Sequence, residues 1–273
     1  MTFWKTGFIF LSFFVFASVS PVFDWVGGGN DDDVFLSQHR AIALTLDQIK
    51  KRGYLVVGVT TNHRPLSFED EQGNLQGLEI DLIRRIAKEL FGNESAVKFV
   101  PLRNVNRLQA VIDREVDITV ASVSANSFRY RIVDFSPYYY LSSTAIVTKD
   151  HTINNLSSEH TLAVLEGSSA IALLKHHLPS INLIGVSSYQ EGLALVKQNK
   201  VTGFAADKTI LTGWIQENRD YQLLPQVYGT YPLAIVLPKG LQHQKLREQI
   251  NQTITKLSQN GWLQQRAEYW GLK

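Results

Sequence analysis

The sequence of 273 residues contains no cysteine, which excludes disulfide bonds, thiolate metal sites, cysteine nucleophiles and lipid attachment through an N-terminal cysteine. Charged residues make up only 19% of the chain and the formal net charge is +2, without a basic run or stripe, so nucleic acid is not the expected partner. Hydrophobic residues make up 44%, which is enough to bury a sizeable core. Length and composition therefore fit one large folded domain or two smaller ones.

The N-terminus has the pattern of an export signal. Lys5 precedes the uncharged, Phe-rich run Gly7–Phe23, and acidic residues at Asp24 and at 31–33 follow it. This order of charges directs the rest of the chain away from the cytoplasm. The run is short for a membrane-spanning helix, so a cleaved signal peptide and an uncleaved anchor both stay open. We assign residues 1–30 to this signal or anchor and a Gly-rich spacer, and expect a periplasmic or other extracytoplasmic location.

Strand and helix patterns alternate along the rest of the chain. Compact β-branched runs read as buried strands, and leucine or isoleucine every fourth residue from Leu78 to Leu90 predicts an amphipathic helix closed by Gly92. The predicted elements are a helix from Leu46 capped by Gly53, strand Leu55–Val59, helix Leu78–Phe91, strand Val97–Pro101, helix Asn106–Asp113, strand Val116–Ala121, strand Leu162–Leu165, helix Ala170–His177, strand Ile181–Val186, helix Glu191–Gln198 behind a Ser188/Glu191 capping box, strand Val201–Ala205, strand Leu233–Leu237 and helix Gln244–Trp262. Such alternation predicts parallel sheets with crossover helices, which bind ligands at the carboxyl ends of their strands.

Several segments together resemble family 3 of the bacterial extracellular solute-binding proteins, the amino-acid receptors of ABC importers. The resemblance runs from about Leu46 to the C-terminus, and its motifs occur in the family's order. They are GYLVVGVT, GLEIDLIRRIAKEL, NRLQAVIDREVDITVAS, DFSPYYY, GFAAD and KLSQNGWLQQRAEYWG. Each motif alone is weak evidence, whereas six in order indicate the family.

The resemblance implies an α/β fold, the two-lobed periplasmic-binding-protein fold of type II. Each lobe would be a mainly parallel sheet flanked by helices, and two extended strands would form the hinge, at Thr144–Thr148 and Gly229–Ile235. The first lobe would be discontinuous, comprising residues 31–143 and 231–273. The second lobe would comprise residues 144–230.

The resemblance also implies a site for the ligand's carboxylate just after the strand that ends at Ala121. Arg129 precedes an Asp-Phe-Ser-Pro-Tyr turn by the spacing of the family's carboxylate-binding arginine. Ser124 stands where the family has a hydroxyl donor, and Ser122 where it uses a backbone group. Arg131 is a competing arginine, with a spacing that is off by two. The structural alternative is a surface arginine paired with Asp134 or another acid.

The ligand's ammonium group needs a negatively charged acceptor. Asp207 stands where the family places this aspartate, although the same residue could simply be the N-cap of a following helix. Ser168 and Ser169 follow Gly167 at the predicted start of a helix, where free N–H groups favour an anion. Helix capping explains these two serines nearly as well.

Four residues bear on the ligand's side chain. His63 and Asn104 occupy places where many family members have aromatic rings, so we expect a polar pocket. Arg64 and His63 could meet a second carboxylate, and Asn104 could bond an amide. Thr60 occupies the place of an acid that serves cationic side chains elsewhere in the family, so lysine and arginine are disfavoured. The alternative is that His63 and Arg64 point into solvent.

These observations predict a binding protein that is not an enzyme and needs no cofactor or metal. We expect a monomer that captures an acidic or neutral polar L-amino acid and delivers it to an ABC transporter permease. Two alternatives stay open. The first is a periplasmic enzyme on the same fold, similar to cyclohexadienyl or arogenate dehydratases, and the second is a membrane-tethered amino-acid sensor.

Overall fold

The computed structural model describes residues 44–272, which contain eight α-helices and twelve β-strands. The helices are α1 (Leu46–Arg52), α2 (Leu78–Phe91), α3 (Gln109–Ile112), α4 (Ser169–His177), α5 (Tyr189–Lys197), α6 (Lys208–Glu217), α7 (Gln244–Gln259) and α8 (Trp262–Tyr269). The strands are β1 (Leu55–Val59), β2 (Asn62–His63), β3 (Ser67–Glu69), β4 (Leu75–Gln76), β5 (Val97–Pro101), β6 (Ile118–Thr119), β7 (Asp134–Thr148), β8 (Thr161–Leu165), β9 (Asn182–Val186), β10 (Gly203–Asp207), β11 (Gln222–Leu223) and β12 (Tyr228–Leu237).

The strands form one mixed sheet of nine strands and a separate sheet of three, in the order β2-β3-β4. The main sheet has the order β5-β1-β6-β12-β7-β10-β8-β9, with β11 paired to β7. Two parallel groups, β5-β1-β6 and β10-β8-β9, are joined through the antiparallel strands β12 and β7. The predicted α/β class and its two parallel halves are therefore confirmed. We call the half containing β1 the first lobe and the half containing β10 the second lobe.

Each lobe has its own buried core. In the first lobe α2, α7 and α8 pack on one face of the sheet and α3 packs on the other. In the second lobe α5 and α6 cover one face and α4 covers the other. Complete burial of a leucine or isoleucine stabilises the fold by about 1.5–3 kcal/mol, so each core can hold its strand ends in place.

The strands that join the lobes are longer than predicted. β7 and β12 include the predicted hinge segments but continue into the first lobe. The predicted turn at Asp134–Tyr138 is therefore wrong, since these residues form the first part of β7. The strand can include Pro137 because the pairing of β7 with β12 shifts register at this point. Proline has no N–H to donate to a regular ladder, and here it falls at the irregularity. There the hydroxyl of Ser136 accepts a bond from the N–H of Ile235, at 3.0 Å.

Local sequence explains the helix boundaries. The predicted ends of α1 and α2 are confirmed, because Gly53 and Gly92 adopt left-handed conformations that terminate these helices. The predicted helix Gln244–Trp262 is wrong as one element. Gly261, with φ of 77°, separates α7 from α8, and only glycine adopts this conformation without strain.

The capping box predicted for α5 is only half formed. The hydroxyl of Ser188 accepts a bond from the N–H of Glu191, at 3.1 Å. The Glu191 carboxylate bonds the N–H and hydroxyl of Ser187 instead of returning to the N–H of Ser188. A side-chain cap is therefore present, but it is not reciprocal.

The predicted signal or anchor at residues 1–30 lies outside the described residues. Within 44–272, no helix is both long and apolar enough to cross a membrane.

Candidate functional site

The predicted carboxylate-binding pair lies together in the first lobe. Arg129 donates from Nη1 to the carbonyl oxygen of Ser124 at 2.7 Å and to its hydroxyl at 2.8 Å. Ser124 itself is held by a bridge to Leu233 of β12. The pairing of Arg129 with Asp134 considered above is wrong, because Asp134 pairs with Arg247 at 3.3 Å.

Arg129 is half-buried and lacks an acidic partner. Because its guanidinium is partly shielded from water, the pKa of Arg129 is lowered. No carboxylate of residues 44–272 lies within 4.0 Å of it. The competing Arg131 is exposed and lies over the ring of Phe128, 5.8 Å from its centroid. Of the two arginines, Arg129 is therefore the one placed to receive an anion.

Ser122 lies at the centre of a polar network. Its φ of 53° is uncommon for a residue other than glycine and stores about 1–3 kcal/mol of strain. This conformation turns its N–H to the Glu79 carboxylate, at 2.6 Å, and its carbonyl oxygen to the guanidinium of Arg107, at 3.1 Å. Its hydroxyl lies 3.4 Å from Nδ1 of His63.

Glu79 is a buried carboxyl that was not predicted from the sequence. It lies in the first turn of α2 and accepts bonds at Oε1 from Ser122 and from the hydroxyl of Tyr139. Burial raises the pKa of Glu79 against the opposing effect of these hydrogen bonds. Its other oxygen, Oε2, is buried without a partner in the described part of the chain.

Arg107 is a second functional candidate that the sequence-based prediction missed. Its Nη1 donates to the carbonyl oxygens of Ala121, at 2.6 Å, and Ser122, at 3.1 Å, and its Nε donates to that of Asn104, at 3.0 Å. Burial and the nearby charge of Arg129 lower the pKa of Arg107, whereas the charge of Glu79 raises it. The sequence feature that could have identified Arg107 is its position in the motif NRLQAVIDREVDITVAS. Arg107 stands just before α3 and β6, and its side chain contacts the residues that follow β6.

Asp207 lies at the end of β10 in the second lobe and is the N-cap of α6. Its Oδ1 accepts bonds from the N–H and hydroxyl of Thr209, at 2.7 and 2.5 Å, and from Ser142, at 2.8 Å. Its Oδ2 accepts one bond from the hydroxyl of Tyr231, at 2.7 Å. The capping role is thus confirmed. Oδ2 still has capacity for another donor, so a ligand role stays a prediction.

Charges from both lobes act on the same residues. Burial is the main influence on the pKa of His63, which Arg107 lowers further and Asp207 raises. Tyr189, at the start of α5, is half-buried, and its pKa is raised mainly by desolvation, raised further by Asp207 and lowered by Arg107. Arg107 in the first lobe and Asp207 in the second therefore both lie near enough to His63 and Tyr189 to influence their charge.

The structure places His63 and Arg64 where the two lobes meet, and neither points freely into solvent. Only 6% of His63 is exposed, and its pKa falls to about 4, mainly through burial. Arg64 pairs with Glu217 of α6, with Nε 2.9 Å from Oε1, and its guanidinium lies 3.8 Å from the ring centre of Phe68. At neutral pH His63 is thus uncharged and Arg64 is already paired.

The remaining predicted residues are less directly connected. The hydroxyl of Thr60 is buried without a partner in residues 44–272, and its carbonyl oxygen accepts a bond from Ser67, at 2.5 Å. Ser168 caps α4 by accepting a bond from the N–H of Ala170, at 3.1 Å, and Ser169 is exposed. Asn104 is exposed and contributes its carbonyl oxygen to Arg107. The capping role of Ser168 is confirmed, whereas ligand roles for these four residues stay predictions.

A groove of about 430 Å³ lies between the lobes; His63 and Arg64 are the predicted site residues that line it, and Arg129 and Asp207 are not among its lining residues. The first lobe contributes His63 and Arg64, and the second contributes Tyr189, Gly213 and Trp214, among others. Gly213 of α6 packs against the backbone of Arg64 so closely that an added Cβ would lie 2.5 Å from the Arg64 carbonyl carbon. This contact between the lobes leaves no room for a side chain at position 213.

Sequence comparison with known proteins identifies the family of this chain. A sequence profile described as "Bacterial extracellular solute-binding proteins, family 3" matches residues 55–273. The glutamine-binding protein of an ABC transporter from Bacillus subtilis strain 168 is 25% identical over 231 residues, covering 83% of this chain and 84% of that protein. Cyclohexadienyl dehydratase from Pseudomonas aeruginosa is 24% identical over 240 residues, covering 82% and 85%.

Solved structures show the same fold. The crystal structure of a cysteine-binding protein from Campylobacter jejuni superposes with a TM-score of 0.69 and 28% sequence identity. The match covers 83% of this chain and 92% of the other. The predicted type II periplasmic-binding fold is confirmed.

Proposed function

The chain belongs to family 3 of the bacterial extracellular solute-binding proteins, and we propose that it captures an L-amino acid outside the cytoplasm and delivers it to an ABC transporter permease. The observation that carries this proposal is the half-buried Arg129, held by Ser124 without an acidic partner among the described residues. A guanidinium in this state can donate hydrogen bonds to a ligand carboxylate without first losing an existing ion pair. The favoured ligands are acidic and neutral polar amino acids.

Asp207 supplies the opposite charge. Oδ2 accepts the Tyr231 hydroxyl and, as a carboxylate oxygen, has the capacity to accept a hydrogen bond from the ligand's ammonium group as well. The carboxylate end is thus bound by the first lobe and the ammonium end by the second. Because both lobes contact the ligand only when they are close together, binding and lobe closure form one equilibrium. We place the lobe boundaries at residues 31–143 with 231–273, and 144–230.

A thermal-shift panel of the twenty L-amino acids tests this function. A ligand that binds only the folded protein stabilises it by about 2.7 kcal/mol when present at a hundred times its Kd. Arg129→Ala should abolish the shift and leave the melting temperature of the unliganded protein nearly unchanged. Arg131→Ala removes an exposed charge two residues away and should retain the shift. Loss of stability in unliganded Arg129→Ala would instead assign the arginine a structural role.

A second candidate function is the dehydration of a prephenate-like acid. It is favoured by the buried carboxyl of Glu79, whose raised pKa suits a proton donor, and by the likeness to cyclohexadienyl dehydratase. Burial of the whole Glu79 side chain argues against it, since an acid must reach the leaving group. Incubation with prephenate or arogenate decides the matter: an aromatic product that disappears in Glu79→Gln would establish the enzyme.

A further inference from the structure

Two neighbouring arginines of the first lobe, Arg107 and Arg129, are partly buried and lack acidic partners. Of the other ten arginines of the described chain, five pair with carboxylates, namely Arg52, Arg64, Arg85, Arg247 and Arg266, and five do not, namely Arg84, Arg103, Arg114, Arg131 and Arg219. Arg107 and Arg129 have no carboxylate within 4.0 Å in this part of the chain. They are close enough for Arg129 to lower the pKa of Arg107, and both are partly desolvated. Two such cations repel each other, and an anion between or beside them relieves this repulsion.

The acids in this region offset these charges only in part. Burial raises the pKa of Glu79, the nearby charge of Arg107 lowers it, and Oε1 of Glu79 already accepts bonds from Ser122 and Tyr139. Asp207 lies across the cleft and caps α6. Even if Glu79 is ionised, two arginines against one carboxyl leave an excess of positive charge on this side of the first lobe. A ligand with one carboxylate can satisfy one of the arginines.

The hydrogen bonds of Arg107 fix the direction of its free edge. Nε and Nη1 donate to the carbonyl oxygens of Asn104, Ala121 and Ser122, which hold the guanidinium plane. Nη2 has no hydrogen-bond partner within residues 44–272. A planar guanidinium positioned in this way presents its remaining N–H groups at a defined angle, as a carboxylate receptor requires.

The other candidates for a second carboxylate fit less well. His63 has a pKa of about 4 and is uncharged at neutral pH. Arg64 is paired with Glu217 and stacked on Phe68. Thr60, His63, Arg64 and Asn104 were predicted to contact the ligand's side chain, and none of them offers an unpaired positive charge.

We propose that Arg107 binds the side-chain carboxylate of the ligand, so that the protein selects a dicarboxylic amino acid over its amide. This inference rests on the proposed function, in which Arg129 binds the α-carboxylate. Such a ligand carries one ammonium and two carboxylates, which match Asp207, Arg129 and Arg107. Its net negative charge offsets the excess positive charge of the first lobe.

Calorimetric titration of the full-length protein with two matched ligand pairs tests the proposal. Glutamate and glutamine, and aspartate and asparagine, have nearly the same shape and differ in one charge. A hydrogen bond to a charged group corresponds to an affinity difference of about 10- to 150-fold. The better acid should therefore exceed its own amide by at least tenfold. An acid-over-amide affinity ratio below threefold, or a higher affinity for either amide, would overturn the proposal. This part of the test uses the wild-type protein alone.

Arg107→Gln should lower the affinity for the better acid by about 10- to 150-fold and change the affinity for its amide by less than threefold. Arg131→Gln removes the same charge from an exposed position and should alter neither affinity. An equal loss of affinity for acid and amide in Arg107→Gln would mean that Arg107 supports the backbone around it or binds the α-carboxylate. That result would overturn this inference and leave the proposed function standing. Failure of the wild-type protein to bind any L-amino acid would instead overturn the proposed function.

Discussion

Replacing Gly213 with alanine should block closure of the lobes. Gly213 lies within α6 of the second lobe, and an added Cβ would meet the backbone of Arg64 and Pro65 in the first lobe. The carbonyl carbon of Arg64 would be 2.5 Å away and the nitrogen of Pro65 3.1 Å away, both inside ordinary contact distance. Backbone atoms cannot rotate aside as a flexible side chain can. The lobes would therefore have to separate to admit one methyl group.

The expected loss of affinity follows from the cost of overpacking. An extra carbon in a well-fitted contact costs about 1–3 kcal/mol. We expect the upper end at Gly213 because its neighbour is backbone, so the Kd of the best ligand should rise about 150-fold. The unliganded protein should behave in the opposite way, since alanine favours a helix over glycine by about 1 kcal/mol. Its melting temperature should rise by about 2–4 °C.

Gly192 provides a matched control. It is also a helical glycine without space for a Cβ, but its obstacle is the ring of Phe204 in the same lobe, 2.5 Å away. Gly192→Ala should therefore lower the stability of the unliganded protein, which Gly213→Ala should not. Calorimetry and thermal melting of both variants check the pair. Unchanged affinity in Gly213→Ala would refute closure through this contact.

Two further predictions concern charge. Asp207→Asn should keep the cap of α6, because asparagine caps as well as aspartate, yet lower amino-acid affinity about 10- to 150-fold in calorimetry; an unchanged Kd would leave Asp207 only its capping role. His63 should make folding sensitive to acid. The pKa of His63 is about 4 in the folded protein and 6.5 in the unfolded chain. As the pH drops from 6.5 to 4, the unfolded chain therefore binds a proton that the folded protein does not. The free energy of unfolding falls over this range by at most about 3 kcal/mol. Denaturant unfolding of His63→Gln at several pH values should show a weaker dependence than wild type, and equal slopes would contradict the assignment.

Much of the fold was predictable from local sequence. The boundaries of β1, α2 and β5 are those predicted, because β-branched runs and leucine spacing agree with the tertiary contacts there. The register shift opposite Pro137 could not be predicted, since it depends on pairing with β12, about a hundred residues later in the chain. The three-stranded sheet β2-β3-β4 was also missed, because strands of two or three residues leave no periodic pattern.

The site was predictable where a local motif fixes the geometry. The contact between Arg129 and Ser124 joins residues five apart, and the predicted capping by Asp207 is likewise local. Glu79 and Arg107 were missed because their roles depend on Ser122, which only the folded chain brings between them. Arg64 meets Glu217 across the lobes, a contact that no spacing in the sequence reveals.

A crystal structure of the protein with its tightest-binding amino acid tests the central claim most directly. The account predicts the ligand's α-carboxylate about 3 Å from the Arg129 guanidinium and its ammonium about 3 Å from Oδ2 of Asp207. A bound amino acid whose α-carboxylate contacts other groups, with Arg129 and Asp207 both left without ligand, would contradict it.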